Sequence, residues 1–266
     1  PGETKLEYDK RRLRLRISKL EKEIEQVKKE RSLRRQRRGQ IPLPQIAIVG
    51  YTNAGKSTLL NALTRRPAVY ADDKLFATLD PTPRRVHMPA GGEMLFTDTV
   101  GFIQKLPHSL VSSFRATLEE TTFADVILHV QDASSPHRAE QASTVRRIIT
   151  ELGVQTTPII DVLNKADLLS PAKKKLLLEE NPSAVLVSAE EGTALLELLE
   201  RVEEAVALRW KLRRLLLPPE KLHLLGVCYE KAIVTGRKEK PSGALELTLM
   251  ATDGNFAGLQ KLLKLH

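Results

Sequence analysis

The segment Gly50-Tyr51-Thr52-Asn53-Ala54-Gly55-Lys56-Ser57 fits the pattern Gly-x4-Gly-Lys-Ser, and its setting restricts the fold more than any other stretch. It follows an apolar run, Ile46-Ala47-Ile48-Val49, and opens onto Leu59-Leu60-Asn61-Ala62-Leu63, which carries a helical pattern. A strand, a glycine-bearing loop and a helix in that order form a cradle for phosphate. Glycine lets the backbone come close to the anion, and the loop N–H groups and helix N-terminus face its negative charge. Lys56 is placed to reach β- and γ-phosphates and Ser57 to ligate Mg²⁺, with Asn53, Ala54, Gly55 and Thr58 lining the same loop.

Three further stations select the base. Asp98 ends the strand-like run Glu93-Met94-Leu95-Phe96-Thr97, where a carboxylate can hold a metal ion directly or through water. Gly101, in Asp98-Thr99-Val100-Gly101, offers a backbone N–H to a γ-phosphate. Asn164-Lys165-Ala166-Asp167 follows a second buried-strand pattern, Pro158-Ile159-Ile160-Asp161-Val162-Leu163. The Asp167 carboxylate can accept from both the ring N–H and the exocyclic amine of guanine. Adenine lacks that pair of donors, and a site built for hydrogen bonds rejects the base that cannot make them. Ser188-Ala189, after Ala184-Val185-Leu186-Val187, means nothing alone but here supplies a backbone donor for the guanine oxygen. The four stations together predict a GTP/GDP pocket.

Between and around them the chain alternates. Strands are expected at 45–49, 84–88, 93–98, 125–131, 157–163 and 184–188, and helices at 56–65, 109–121, 136–151, 171–179 and 192–214. This alternation predicts an α/β fold with a mostly parallel sheet covered on both faces and ligands at the carboxyl ends of its strands. Pro218-Pro219 marks a boundary. Beyond it, Leu245, Leu247 and Leu249 alternate with Glu246, Thr248 and Met250 as in a half-buried strand; Val227–Thr235 is expected to pair with it, and a short helix to close the chain. The expected division is a helical arm over 1–40, a nucleotide-binding domain over 41–214 and a small α+β domain over 215–266.

Charge sets the arm apart. Residues 1–40 hold 15 Lys and Arg against 7 Asp and Glu, a net of +8 of the chain's +9. Arg31, Arg34, Arg35, Arg37 and Arg38 form its densest cluster, ahead of Ile41-Pro42-Leu43-Pro44. Such a concentration is the electrostatic footprint of a phosphate-backbone partner, and a solvated helix face is the alternative. Leu13, Ile17, Leu20, Ile24 and Val27 step by four, three, four and three along one helical stripe. A seam this narrow calls for a second helix. It can pack on the rest of the chain, pair with another copy, or stay exposed; the pattern does not choose. The single cysteine, Cys228, leaves no disulfide framework within the chain and fits a reducing compartment. No apolar run approaches the roughly 18 residues of a membrane helix.

One family fits these motifs nearly end to end. Pro1-Gly2-Glu3-Thr4-Lys5-Leu6-Glu7 with Asp9 and Arg11-Arg12, the phosphate loop through Thr58-Leu59, and Leu75-Phe76-Ala77-Thr78-Leu79-Asp80-Pro81-Thr82 carry the likeness. Asp98-Thr99-Val100-Gly101-Phe102-Ile103 and Leu106-Pro107 with Leu110-Val111, Phe114 and Thr117-Leu118-Glu119-Glu120 extend it. On these residues the chain resembles the HflX-type ribosome-associated GTPases, with Lys5 standing where the family usually shows Gln. The likeness covers residues 1 to about 208 well and the tail loosely.

The resemblance implies a factor that hydrolyses GTP with Mg²⁺, binds the large ribosomal subunit and its rRNA, and splits or rescues stalled ribosomes. A GTP-dependent switch in ribosome assembly or signalling is the alternative. It also implies that the chain is a fragment lacking the family's N-terminal domain and the partner helix of the arm's seam. The arm's arginines become candidate rRNA contacts. The protein is expected to be monomeric, with dimerisation through the seam as the variant case. A cytoplasmic location is expected, an organelle being the alternative. Thr78 is the expected metal-sensing hydroxyl, by its place in Phe-Ala-Thr-Leu, with Thr82 second. Many GTPases carry a water-orienting glutamine where this chain has Phe102, so intrinsic hydrolysis is expected to be slow and its catalytic group lies elsewhere. His87, His129 and His137 are scattered and are expected to be structural or exposed.

Overall fold

A computed structural model of the chain describes residues 43–64, 83–99, 119–154 and 156–265. Thr78, Gly101, Phe102 and the whole basic arm lie outside the described residues, as does most of the helix expected over 109–121; its last residues join a 3₁₀ turn, Glu119–Phe123.

Six strands form the first sheet: β1 (Gln45–Gly50), β2 (Pro83–His87), β3 (Glu93–Asp98), β4 (Val126–Asp132), β5 (Ile159–Asn164) and β6 (Val185–Leu186). Their order is β2-β3-β1-β4-β5-β6, and every pairing is parallel except β2 with β3. Alternate residues of β1 serve opposite faces. Ile46 and Ile48 meet Leu59, Leu60 and Leu63 of α1 (Lys56–Thr64) and Leu198, Val202 and Val206 of α4 (Leu195–Ala207). Ala47 and Val49 meet Val145 and Ile149 of α2 (Arg138–Glu151). Leu177 of α3 (Pro171–Glu180) packs with Leu163, Leu169 and Ala184. A sheet buried on both faces explains why its strands are near-continuous apolar runs rather than alternating ones. The α/β class expected from the sequence is the fold observed.

One face of β4 carries a polar cluster under α2. Buried His129 places Nδ1 2.9 Å from Asp161 Oδ1, Gln131 Nε2 donates to the same oxygen at 2.9 Å, and Arg146 pairs with the other. Burial alone would push the Asp161 carboxyl up, but the His129 hydrogen bond and the Arg146 charge hold it below the usual range. His129 is thus a satisfied core residue, while His87 and His137 are exposed, as the sequence led us to expect.

The last helix of this domain departs from expectation. It ends at Ala207, and Trp210–Leu217 is a strand, β7, where the sequence pattern predicted helix to residue 214. The expected domain limit therefore falls inside a strand. Leucine and arginine favour helix locally, but β9 (Leu245–Thr252) offers eight consecutive antiparallel partners, and that pairing overrides the propensity. The exposed Leu212 and Leu216 mask the alternation that Leu215 and Leu217 would otherwise show. A second correction concerns Val227–Thr235: Leu225–Lys231 is a helix, α5, and only the end of that stretch, in β8 (Ile233–Glu239), joins the sheet beside β9. With α6 (Asp253–Leu265), α5 covers one face of the sheet β7-β9-β8 over a core of Leu215, Leu217, Cys228, Leu247, Leu249 and Leu259.

Candidate guanine-nucleotide site

The predicted stations gather at the carboxyl edge of the first sheet, because each follows the end of a strand: β1, β3, β5 and β6. Glycine is required at Gly50, where a Cβ would sit 2.2 Å from the Val130 carbonyl oxygen of the neighbouring strand. Gly55 has φ +86°, and a Cβ there would meet Asn164 Nδ2 at 2.2 Å. The loop is therefore pressed against both β4 and Asn164 at the end of β5. Asn53, exposed at the loop's crest, takes the left-handed conformation with φ 59°. The Gly55 carbonyl accepts from Leu59 N at 2.9 Å and so starts α1, which carries Thr58 in its first turn.

Lys56 is buried, and its ammonium donates to the Tyr51 carbonyl at 3.0 Å across the loop. Desolvation lowers its pKa to about 8, the Asp98 carboxylate opposing that shift. Phosphate in the loop would supply the missing counter-charge, so binding should raise this pKa and take up a proton above about pH 8. We expect GDP affinity to be level below pH 8 and to fall by up to about tenfold per pH unit above it. Titrations from pH 7 to 9.5 check this, and Lys56→Met should flatten whatever profile remains.

Ser57 Oγ donates to Asp98 Oδ2 at 2.6 Å. A hydroxyl and a carboxylate side by side at a phosphate loop are hard oxygen donors, the chemistry that suits Mg²⁺. Thr99 anchors the end of β3, its buried hydroxyl donating to the Ile48 carbonyl at 2.8 Å.

Asn164 does more than the sequence suggested. Its Nδ2 donates to the Ala54 carbonyl at 2.9 Å, and its Oδ1 accepts from Ala189 N at 3.0 Å. One buried side chain thereby fastens the phosphate loop to the Ser188-Ala189 loop. Lys165 is in the left-handed conformation, and its ammonium pairs with Asp132 at 2.8 Å. Burial pushes the Asp132 carboxyl up, but Lys165 and the Ser134 hydroxyl and amide outweigh it and hold the pKa below the usual range. Asp167 Oδ1 accepts from Ser188 Oγ at 2.5 Å, and that hydroxyl also accepts from Glu191 N at 3.1 Å. A carboxylate fixed by a serine across two loops is a preorganised acceptor for a base edge.

Sequence reasoning named these stations but missed three supports: Tyr51, Asp132 and Thr193, whose hydroxyl accepts from Ser188 N at 3.2 Å. Asp132 had a signal, the Asp-x-Ser turn at the carboxyl end of β4. Tyr51 acts through its main-chain carbonyl, which no side-chain pattern reveals.

Comparison with known proteins fits this geometry. Residues 45–165 match the family described as 50S ribosome-binding GTPase, and residues 173–265 match the HflX C-terminal domain. GTPase HflX of Caldanaerobacter subterraneus is 48% identical over 221 residues, 83% of this chain and 50% of that protein. GTPase HflX of Escherichia coli is 39% identical over 249 residues, 93% of this chain and 58% of that protein. The chain belongs to the HflX GTPase family. Residues 1–38 match the family described as GTP-binding GTPase middle region. The chain spans about half the length of the HflX relatives it matches. Among solved structures, a GTP-binding protein from Sulfolobus solfataricus in complex with GDP superposes with a TM-score of 0.54 at 28% identity, over 73% of this chain and 58% of that one. The 50S-type match ends at Lys165, ahead of Asp167 and Ser188.

Proposed function

We propose that this chain binds GTP and GDP at the carboxyl edge of its first sheet, hydrolyses GTP, and acts on the large ribosomal subunit. The observation that carries the reading is the double hydrogen bond of Asn164, which joins the phosphate loop to the Ser188-Ala189 loop, the one that with Asp167 would face a guanine. The match to a 50S ribosome-binding GTPase family and the GTPase HflX relatives support the hydrolytic and ribosomal parts. Mg²⁺ would be held by Ser57, Asp98 and Thr78, supplying charge neutralisation to the phosphates, with the Gly101 N–H as the proposed contact of the γ-phosphate. The basic arm, through Arg31, Arg34, Arg35, Arg37 and Arg38, is the proposed rRNA contact, and splitting or rescue of stalled ribosomes the proposed outcome. The bacterial relatives favour a bacterial cytoplasm as its location.

Because the Phe102 side chain has no polar atom with which to orient water, intrinsic hydrolysis should be slow and ribosome-stimulated. Single-turnover assays with and without 50S subunits should differ by at least about tenfold, and equal rates would remove the ribosome as activator. Co-sedimentation in GDP and in a non-hydrolysable GTP analogue, with light scattering for splitting, separates the two ribosomal readings. Binding without splitting would favour an assembly or signalling switch.

A further inference from the structure

The basic charge of the chain is not confined to its arm. Residues 209–266 carry 11 Lys and Arg against 5 Asp and Glu, whereas residues 41–208 carry 16 against 21. The C-terminal module is therefore as one-signed as the arm and opposite in sign to the nucleotide-binding domain between them.

Part of that charge is organised by the sheet β7-β9-β8. Its inner face is covered by α5 and α6. On its outer face, strand register sets three rows across the sheet: Leu212–Met250–Ile233, Arg214–Thr248–Gly236 and Leu216–Glu246–Lys238. Met250 and Ile233 pack against the core of the nucleotide-binding domain. In the other two rows Arg214, Leu216 and Lys238 are exposed. Glu246 is the one carboxylate in these rows, and it pairs with Lys240 at 3.0 Å. Its carboxyl lies below the usual range, first through the Lys240 hydrogen bond and further through the charges of Lys240, Arg214 and Lys238. Three cations thus surround one anion. In Arg214's row the β8 position is Gly236, which raises no side chain; the nearest neighbour its missing Cβ would have is Thr248 Cβ at 3.6 Å. The β8 end of that row is therefore low, and Thr248 and Glu246 of β9 lie between the two cations.

We propose that this outer sheet face is a second RNA contact, taking the phosphate backbone of a strand laid across Arg214, Thr248 and Lys238. The surplus of cations supplies the complementarity. The face offers no aromatic ring for base stacking, so contact with the backbone, independent of base sequence, is what it provides. An apolar protein partner fits less well: the neighbours of Leu212 in its row, Met250 and Ile233, already pack on the nucleotide-binding core, and Leu216 is separated from Leu212 by Arg214 and stands beside Glu246. The proposal stands apart from the nucleotide site.

The test measures binding of the full chain to poly(U) by fluorescence anisotropy between 50 and 300 mM salt. Arg214→Gln with Lys238→Gln should flatten the log K against log salt slope by about 1.4, two single-strand phosphate contacts. Lys261→Gln with Lys264→Gln removes the same charge from α6 and should leave the slope unaltered. An unchanged slope in the sheet variant overturns the proposal, and so does an equal flattening in the helix control, which would assign the effect to net charge. Leu216→Asp, which keeps both cations, should weaken poly(U) binding without altering GDP affinity. Poly-glutamate bound as tightly as poly(U), with the same loss in the sheet variant, would assign the face to an acidic polypeptide instead. GDP affinity and far-UV circular dichroism on each preparation report folding, and a failure of nucleotide binding in the unsubstituted chain would sink the nucleotide reading without touching this one.

Discussion

Asp167→Asn should turn a guanine site into one that prefers xanthine. The carboxylate can take two hydrogen bonds from the guanine edge, and an amide presents one acceptor and one donor where two acceptors are needed. Xanthine, with a carbonyl in place of the exocyclic amine, matches the amide. Discrimination of this type spans about 10²- to 10⁴-fold, since the wrong base leaves buried groups unpaired. The Ser188 bond survives, because Oδ1 of the asparagine can accept the same hydroxyl that Asp167 accepts at 2.5 Å. The substitution should therefore change the base preferred without loosening the loops. Competitive titration of labelled GDP and XDP is the measurement, and an undiminished guanine preference in the variant would refute Asp167 as the base reader.

Asn164→Ala should cost more than base preference. It removes the donor to the Ala54 carbonyl and the acceptor of the Ala189 amide, both within a buried side chain's reach. Two main-chain groups are then left without a partner, at about 1–3 kcal/mol each. A loss of about 2–6 kcal/mol follows, divided between stability and nucleotide binding. Thermal melts with and without GDP apportion it. A melting temperature and a GDP affinity within error of the unsubstituted chain would mean the staple is not what holds the pocket together.

How far the sequence could be read depended on where each structural cause lay. The phosphate loop and the strands that present it were legible because their requirements are local: glycines for close approach, an apolar run before, a helical pattern after. Gly50 and Gly55 illustrate it, since the backbone tolerates nothing larger at either place. The bracing of the pocket was less visible. Nothing in Asn164 announces that it will span to Ala54, 110 residues earlier. The helix predicted to residue 214 failed for the same reason, since the partner that makes Trp210–Leu217 a strand lies at 245–252. The charge of the C-terminal module was hidden differently. Summed with the acidic domain before it, it all but cancelled.

β7 is shared property. Its first residue, Trp210, belongs to the core beneath the nucleotide-binding sheet, and Leu215 and Leu217 belong to the core of the smaller sheet. Anyone dividing this protein for separate expression meets that fact at once. A cut at 214 severs the strand between its two loyalties and strips from Trp210 the neighbouring Ile233 and Met250, which pack against the same core. The longer piece would keep a tryptophan with part of its cover gone, and the other would lose the first residues of an edge strand from a three-stranded sheet. A cut at 208 leaves β7 whole but takes Trp210 out of the larger piece. Neither scissor point is clean, so the two cores are best handled as one unit in the test tube.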